Sequence, residues 1–377
     1  MHRPPLRVWV WTAATLALVV VAALLWRGSD AAATGSTTAA PADVPAGTPA
    51  GVVSEAWSVK GGPLPDSVVE SGRVLIGSRH GVRALEPATG AEAWHYTRAN
   101  ARLCGLTATD GVAVAVFRTE DRCDEAVGLD AGTGVRRWTR SVNFRGDATL
   151  DSTDRIVLAG SRTGVVTIDP TGNNVRWRHA PPEGCELLGA EVGSAGVAVL
   201  QRCTRSTTVR LRLFHGFEGN ALWTRDLPAA DGAEIRLLGA DGLLGVLVGD
   251  KFHGVSAEDG TVLQRLPVPG GKAGTVQQVS AGAVALVRID GTLTALDAAS
   301  GGVLWSGPAL GLPSAPEPGT DASAVVVPEQ AGFVLRNPGT GAELGRSGAP
   351  GLPAGGEAAI VGDAVVHRLP DRVAGFR

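Results

Sequence analysis

The stretch Gly291-Thr-Leu-Thr-Ala-Leu-Asp-Ala-Ala-Ser-Gly-Gly-Val-Leu-Trp305 decides the fold, because copies of it recur along the chain. In the complete copies an acidic residue precedes a tryptophan by eight positions: Glu86 and Trp94, Asp130 and Trp138, Asp169 and Trp177, Asp297 and Trp305. A fifth copy ends at Trp223, and two degraded copies place Gln264 and Gly345 at the tryptophan position. With Trp57 as the first, these positions are 37 to 46 residues apart, which indicates a repeat of about forty residues.

Each repeat unit contains short β-prone runs separated by turns with glycine. Ser71-Gly72, Asp110-Gly111 and Asp241-Gly242 precede such runs, and the acidic segment ends in a further glycine turn before the tryptophan. Turns of this kind between short apolar runs are hairpin signals, so each unit is predicted to be a four-stranded antiparallel meander. Four-stranded units repeated at this spacing bury their faces by packing radially, which predicts an all-β fold, a β-propeller.

The number of blades follows from the two ends of the repeat region. Seven units run from about Val68 to Gly345, and residues 357–377 supply three more strands without a fourth. The strand at residues 55–59, which contains Trp57, would complete that blade and close the ring without a free edge. We therefore predict an eight-bladed propeller over residues 53–377, with seven blades and an added carboxy-terminal segment as the alternative.

The amino-terminal region contains one apolar segment, residues 8–26, which has no charged residue and is long enough as a helix to span a membrane. Arg3 and Arg7 precede it, so residues 1–7 are predicted to form a cytoplasmic tail and the propeller to be extracytoplasmic. This predicts a single-pass cell-membrane protein held by a signal anchor. A cleaved signal peptide, after which the protein would be secreted, remains the alternative, because Asp30-Ala31-Ala32-Ala33 contains small residues.

Residues 27–52 are mostly alanine, threonine, glycine and proline. Such a segment has almost no large apolar side chain to bury, so it is interpreted as a flexible linker that holds the propeller away from the membrane.

Composition excludes two broad classes of protein. The hydrophobic fraction of 44% against 19% charged residues is too high for a disordered chain. The formal net charge of −3 gives no electrostatic basis for nucleic-acid binding.

The motif Gly-x-x-x-Ala-Leu-Asp-x-x-Thr-Gly-x-x-x-Trp resembles the repeat of the pyrroloquinoline-quinone (PQQ) dehydrogenase-like propellers, over about residues 53–377. The resemblance implies that the outer-strand tryptophans dock each blade on its neighbour: Trp57, Trp94, Trp138, Trp177, Trp223 and Trp305. If its ring is buried, replacing Trp138 with alanine would cost about 3 to 5 kcal/mol. The family includes quinone-dependent dehydrogenases, which have a vicinal cysteine pair and a calcium site, and non-enzymatic relatives, among them an outer-membrane assembly lipoprotein and the sensor regions of some bacterial kinases.

Four cysteines, Cys104, Cys123, Cys185 and Cys203, include no adjacent pair. In the two units that hold them, the segment between the first turn and the tryptophan is lengthened, and the second cysteine lies in or beside the insertion. We therefore predict disulfides between Cys104 and Cys123 and between Cys185 and Cys203, separated by 19 and 18 residues. Buried free thiols are the alternative.

Other candidate sites are weaker. The histidines after residue 27 lie in different repeat units without metal-ligand spacing. Four arginines gather around Cys203 and are a possible partner contact, or else the solvated face of a strand: Arg202, Arg205, Arg210 and Arg212.

These observations predict a membrane-anchored extracytoplasmic scaffold that binds an envelope protein or cell-wall component of a bacterial cell and has no cofactor, metal site or catalysis. The alternatives are a sensor of quinone or sugar in the central channel and a PQQ-dependent enzyme. The identity of the partner and the face that binds it stay open.

Overall fold

In the computed structural model, the structure describes residues 6–41, 45–65, 68–119, 121–153, 155–172, 174–271, 276–315 and 323–377. The amino-terminal helix covers Leu6–Arg27, and Trp9–Arg27 is apolar and long enough to cross a membrane. Most of the predicted tail, residues 1–5, lies outside the described part. A short helix at Asp30–Ala33 and a 3-10 turn at Pro269–Gly271 are the other helical elements described.

After the helices the chain forms eight antiparallel sheets around a ring, as predicted. Blade 1 contains Val69–Glu70, Arg73–Ser78, Gly81–Leu85 and Glu92–Arg98, and blade 2 contains Arg102–Thr109, Val112–Arg118, Cys123–Asp130 and Arg136–Phe144. Blade 3 contains Thr149–Thr153, Ile156–Ser161, Gly164–Ile168 and Val175–His179, and blade 4 contains Cys185–Gly193, Gly196–Cys203, Thr208–Phe214 and Ala221–Pro228. Blade 5 contains Ile235–Ala240, Leu243–Val248, Lys251–Ser256 and Val262–Pro267, and blade 6 contains Gln277–Ala281, Val284–Ile289, Thr292–Asp297 and Val303–Pro308. Blade 7 contains Val325–Glu329, Gly332–Arg336 and Glu343–Gly348, and blade 8 contains Glu357–Val361, Ala364–Arg368, Arg372–Phe376 and Glu55–Lys60.

The ring closes by joining its two ends in blade 8. Glu55–Lys60 pairs antiparallel with Arg372–Phe376, with Trp57 opposite Gly375. Ser54 and Arg377 extend the ladder by exchanging both backbone hydrogen bonds at 3.0 Å. The predicted eight-bladed closure is confirmed, and the last strand of the chain has no free edge.

Blade 7 departs from the predicted four strands. Its sheet has three strands in the described part of the chain, and residues 316–322 lie outside that part. The preceding Leu312–Pro313 pairs parallel with Glu357–Val361 and so adds a fifth strand to blade 8. Proline lacks a backbone N–H, which suits Pro313 to the edge of that sheet.

Two of the three predicted hairpin turns, Ser71-Gly72 and Asp110-Gly111, have positive φ at both central residues, whereas Asp241-Gly242 does not. Ser71 and Gly72 have φ of 51° and 70°, and Asp110 and Gly111 have φ of 49° and 71°. Positive φ at both central residues is the hairpin turn that matches the twist of paired strands.

The segment interpreted as a flexible linker is ordered against the propeller over much of its length. Thr34–Ser36 is a strand paired with Glu92–Arg98, so blade 1 has five strands. The chain continues along the ring, where Ala39 N donates to Thr133 O at 2.9 Å and Val53 N donates to Gly348 O at 2.9 Å. The prediction of a flexible linker is therefore wrong for residues 30–39, which we call the N-terminal strap, whereas its role in holding the propeller away from the membrane stays a prediction; residues 42–44 lie outside the described part.

Hydrophobic clusters lie between neighbouring blades, where the two faces of each sheet meet the next sheet. One of these seams, between blades 7 and 8, contains a histidine. His367 is fully buried among Phe333 and Phe376, with its Nε2 at 3.1 Å from Gly355 O. Burial, with Arg372 nearby, lowers the pKa of His367 although the hydrogen bond to Gly355 opposes this shift.

This histidine should make stability depend on pH below neutrality. Because its pKa is lower in the folded chain than in the unfolded chain, about 6.5, the unfolded state binds more protons as pH falls. The stabilisation that comes from neutral His367 is fully present above the unfolded-state pKa, and it is lost as the pH falls through the lower pKa of the folded state. We expect His367→Gln, which keeps a donor for Gly355, to flatten the decline in unfolding free energy between pH 7 and 5, measured by denaturant titration; an unchanged slope would contradict this assignment.

Candidate functional site

Each predicted docking tryptophan donates its indole N–H to a backbone carbonyl of the next blade. The Nε1 to O distances are 2.8 Å for Trp57 to Pro87, 2.9 Å for Trp94 to Ala131, 2.8 Å for Trp138 to Pro170, 2.8 Å for Trp177 to Gly216, 2.8 Å for Trp223 to Ala257, and 2.6 Å for Trp305 to Pro338. Their even distribution around the ring gives these rings a structural role in joining blades, and no two of them converge on one ligand.

The turn that receives each tryptophan explains the glycine that follows threonine in the motif. Gly134 has φ of 76°, and a Cβ added to it would lie 2.7 Å from the ring of Trp94. Where the tryptophan is missing in blade 5, Gln264 Nε2 donates to Gly301 O at 3.2 Å, so a smaller donor reaches the same turn of the next blade at a different carbonyl.

Both predicted disulfides are present, Cys104 with Cys123 and Cys185 with Cys203. Each joins the inner strand of a blade to a strand bordering the enlarged hairpin of the same blade. The bridges therefore stabilise blades 2 and 4 individually and tie no blade to another.

Loss of either bridge should lower the unfolding free energy without changing the surfaces of the other blades. Closed loops of 19 and 18 residues correspond to about 3 kcal/mol each in the chain-entropy model. We expect Cys104→Ser with Cys123→Ser to lower the unfolding free energy by about that amount, measured by denaturant titration. Peptide mapping of the wild type without reductant should recover the two linked pairs, and peptides that join Cys104 to Cys185 or Cys203 would contradict the pairing.

The acidic residues of the repeat turns are engaged by their own turns. Asp130 Oδ1 accepts from Thr133 N at 2.8 Å, and its Oδ2 pairs with Arg137 at 2.7 Å. Partial burial opposes ionisation, but the hydrogen bonds from Arg137 and Thr133 hold the pKa of Asp130 below its usual range. Asp169 and Asp297 cap their turns in the same way. Among the described residues, no three His, Cys, Asp or Glu side chains gather where they could hold a metal ion.

The inner strands that border the central channel are joined by short polar contacts. Thr107 Oγ1 lies 2.6 Å from Ser152 Oγ, and Thr109 Oγ1 donates to Thr153 O at 2.6 Å, which links blades 2 and 3. Asp151 Oδ2 accepts from Val192 N at 2.7 Å, which links blades 3 and 4. These groups hold neighbouring inner strands together around the channel.

A shallow cavity of about 350 Å³ lies between blades 2 and 3 and is lined by Phe144, Arg145, Ser161, Thr163 and Arg178, among others. Arg178 extends across it and donates to Val142 O at 3.5 Å. Ser161 Oγ in the lining donates to Gly164 O at 3.1 Å, and His179, also in the lining, packs its ring against Phe214 with the ring centres 4.7 Å apart.

The four arginines predicted as one contact are separated by the structure. Arg210 and Arg212 lie on the side of blade 4 that faces blade 3, where Arg210 forms a bidentate pair with Asp226 at 2.8 and 3.1 Å. Arg202 has the opposite orientation and donates to Ala230 O at 3.3 Å. Arg205 is exposed in the hairpin with φ of 64°. Alternation along strands places the group on two faces, so it does not form a single partner site.

The sequence motif does not reveal a set of exposed aliphatic side chains, because each lies in a different blade just before the tryptophan position. Leu222, Leu304 and Leu344 occupy the position just before the tryptophan position in blades 4, 6 and 7, with 48%, 44% and 55% of their surface exposed. The same position holds Ala93 in blade 1 and Arg137 in blade 2. We call Leu222, Leu304 and Leu344 the leucine rim, since they lie on outer strands along one half of the ring.

Several known proteins share this fold. The computationally designed Ika8 protein is 13% identical with a TM-score of 0.51, covering 88% of this chain and 98% of its own. Quinohemoprotein alcohol dehydrogenase from Comamonas testosteroni is 11% identical with a TM-score of 0.50, covering 86% and 76%. BamB from Moraxella catarrhalis is 15% identical with a TM-score of 0.48, covering 86% and 100%. No curated relative matches the sequence.

The sequence also matches a family model, described as outer membrane protein assembly factor BamB, over residues 23–195 and 209–368. The match covers nearly all of the propeller and includes its repeat motif. By this match the chain belongs to the family of the outer membrane protein assembly factor BamB.

Proposed function

We propose that this protein is a membrane-anchored extracytoplasmic scaffold that binds another protein of the cell envelope and carries out no catalysis. Family membership supports a role in assembly, since the family is described by an assembly factor. The apolar helix at Leu6–Arg27 would anchor it, with the amino terminus in the cytoplasm.

The observation that carries the proposal is the contrast between engaged polar groups and exposed apolar ones. The turn carboxylates and the hydroxyls of the inner strands bond to backbone or to each other. The leucine rim, by contrast, leaves three large aliphatic side chains in solvent on blades 4, 6 and 7. Apolar side chains repeated along one surface favour contact with another protein.

Site-specific photocrosslinking in intact cells tests the partner surface. A photoreactive residue at Leu304 should give a discrete adduct with an envelope protein, and one at Ala93, on the other half of the ring, should not. When the probe is placed at Leu344 instead, the additional change Leu304→Asp should reduce the adduct with the envelope protein, because a charge in an apolar contact is costly. Equal adducts from both halves of the ring would contradict a partner surface at the rim.

A ligand screen tests the quinone-dependent alternative. We expect pyrroloquinoline quinone with calcium to leave the melting temperature of the purified protein unchanged. A clear increase would favour the enzyme or sensor alternative, because a ligand that binds only the folded state raises stability.

A further inference from the structure

The two disulfides differ in how they sit within their blades. Cys104 and Cys123 belong to strands that are separated by Val112–Arg118, so their bridge joins non-adjacent strands. Cys123 is 1% exposed and packs in the hydrophobic cluster between blades 2 and 3. Cys185 and Cys203, by contrast, lie on neighbouring strands of blade 4, and both are only half-buried. Neither of them belongs to the two hydrophobic clusters that flank blade 4.

The two cysteines of blade 4 face each other directly in their antiparallel ladder. They form a non-hydrogen-bonded pair, because Thr204 N donates to Gly184 O at 2.8 Å in the neighbouring pair, and the two kinds of pair alternate. Cys185 N donates to Pro182 O at 3.0 Å and so does not point across the ladder. Such a pair brings its Cα atoms to about 4.5 Å, which is at the short end of the range for disulfides. A bridge between directly opposed strand residues is therefore easier to reduce than one at the usual separation of about 5.5 to 6 Å.

This bridge is open to a reagent from solvent. Residues on both sides of the two cysteines are exposed: Gly184, Glu186, Thr204 and Arg205. Thiol–disulfide exchange requires that an attacking thiolate reach one sulfur of the bridge. The surroundings of Cys185 and Cys203 satisfy this requirement, whereas Cys123 is enclosed in its hydrophobic cluster.

A buried amide lies beside one of the two sulfurs. Gln201 is fully buried, two residues before Cys203 on the same face of the strand, and its Nε2 donates to Cys203 Sγ at 3.9 Å. The Oε1 of Gln201 has no hydrogen-bond partner among the described residues. A hydrogen bond to an anion is about twice as strong as one to a neutral acceptor, so this amide favours Cys203 as a thiolate. Cys203 is thereby the better leaving group, and Cys185 is the sulfur that is attacked.

The charged groups around the bridge are largely matched. Glu186 and Arg202, each next to a cysteine in sequence, face each other across the ladder on the opposite face of the blade. On the face of the bridge, Arg210 is held by Asp226 in a bidentate pair. Glu183 is exposed, so solvent and salt screen its charge. These pairs leave the reactivity of the bridge to register, access and the amide of Gln201.

Opening the bridge would leave blade 4 folded. The ladder between its first two strands continues from Glu186 and Arg202 to Gly193 and Gly196, so the bridge closes only one end of it. The enlarged hairpin, residues 204–207, begins directly after Cys203. Reduction would therefore release this hairpin while the strands stay paired.

We propose that the disulfide between Cys185 and Cys203 is a thiol–disulfide exchange site, and that the other bridge is purely structural. An incoming thiolate attacks Cys185 Sγ, the S–S bond breaks, and its electron pair stays on Cys203 Sγ. A second thiol of the same reagent then displaces Cys185 from the mixed disulfide. Two electrons and two protons pass from the dithiol to the cysteines, and the reagent ends as a disulfide. This inference is independent of the scaffold function proposed above.

Graded reduction of the purified full chain tests the selectivity of the site. Dithiothreitol is added at about pH 8, where part of the reagent is thiolate, and thiols are blocked at successive times with N-ethylmaleimide for peptide mass spectrometry. We expect Cys185 and Cys203 to be labelled about tenfold faster than Cys104 and Cys123. Equal rates for the two bridges, or faster labelling of Cys104 and Cys123, would overturn the proposal.

Matched variants test what makes the bridge reactive. Cys104→Ser with Cys123→Ser should keep the fast reaction in blade 4. Gln201→Leu, which removes the amide beside Cys203, should slow reduction several-fold. Gln278→Leu makes the same change in blade 6, where the amide bonds to Leu243 O, and should leave the rate unchanged. If Gln201→Leu reacts like the wild type, the amide has no part in the site.

A trapping experiment distinguishes a protein reductant from a small thiol. A thioredoxin-type protein whose second active-site cysteine is replaced by serine cannot complete the exchange and stays bound as a mixed disulfide. We expect this adduct at Cys185. If 2-mercaptoethanol reduces the bridge but the trap gives no adduct, the reagent of the site is a small thiol. An adduct at Cys104 or Cys123 alone would contradict the assignment.

Hydrogen exchange before and after reduction shows what the bridge controls. Residues 204–207 should exchange faster once the bridge is open, while residues 209–214 in the next strand should keep their protection. Faster exchange throughout blade 4 would show that this bridge, like the other, holds its blade together, and the assignment as an exchange site would fail.

Discussion

Removal of residues 53–60 is expected to leave little soluble, folded protein. The deletion removes the outer strand of blade 8, exposes the edge of Arg372–Phe376, and eliminates the Trp57 contact to Pro87 of blade 1. Loss of a fully buried docking tryptophan costs about 3 to 5 kcal/mol, and the deletion removes the partly buried Trp57 together with a whole strand. A typical domain has about 5 to 15 kcal/mol of stability in total, so this change should abolish most of it. Soluble yield and thermal unfolding of the full chain measure the outcome.

A variant of unchanged length separates the missing strand from a shortened chain. Replacing residues 53–60 with a Gly-Ser segment of equal length should be as damaging as the deletion. The same replacement over residues 46–50, which belong to no described strand, should be tolerated. If the first replacement melts like the wild type, closure of the ring by the amino-terminal strand does not contribute to stability.

The closing strand could be predicted because the sequence shows a blade that lacks its fourth strand at one end of the repeat region and a single outer strand at the other end. Residues 357–377 contain three β-prone runs, and the segment around Trp57 has the apolar alternation and the tryptophan of an outer strand. The ring accounts for both fragments at once. The disulfides were predictable for a related reason, since the repeat alignment shows where each blade is lengthened.

The N-terminal strap could not be predicted in this way. Thr34–Ser36 binds blade 1 through backbone hydrogen bonds, and its side chains are small. Such pairing leaves no hydrophobic period in the sequence, so a segment of alanine, threonine and glycine looks like a linker. Asp30 is the one polar signal, and its importance depends on Arg98, which is distant in sequence.

The arginines around Cys203 show a different limit. They are close in sequence, but the direction of each side chain depends on strand register. Gln201 pairs with Arg210 and Glu186 pairs with Arg202, which places Arg202 and Arg210 on opposite faces of blade 4.

Trp94→Ala is expected to lower the unfolding free energy by about 3 to 5 kcal/mol, the usual cost of removing a large buried aromatic ring. Trp94 is fully buried, with its Nε1 at 2.9 Å from Ala131 O and its ring against Gly134. Trp138, which the sequence offered as an equivalent test, is only partly buried, so Trp138→Ala should cost less. Denaturant titration of the full chain in detergent compares the two.

A conservative variant divides the effect of Trp94 into packing and hydrogen bonding. Trp94→Phe keeps much of the buried ring but leaves the Ala131 carbonyl without its donor, which should cost about 1 to 3 kcal/mol. If Trp94→Phe is as damaging as Trp94→Ala, the hydrogen bond to the next blade dominates the docking. If both variants are as stable as the wild type, the seam between blades 1 and 2 is held by other contacts, such as Phe117 and Leu129 in the same cluster. We expect the unfolding free energy of Trp94→Ala to lie well below that of Trp94→Phe, and that of Trp94→Phe below the wild type. This order would make burial of the ring the main reason why the repeat retains tryptophan. The N–H would make a smaller contribution, which Gln264 supplies alone in blade 5.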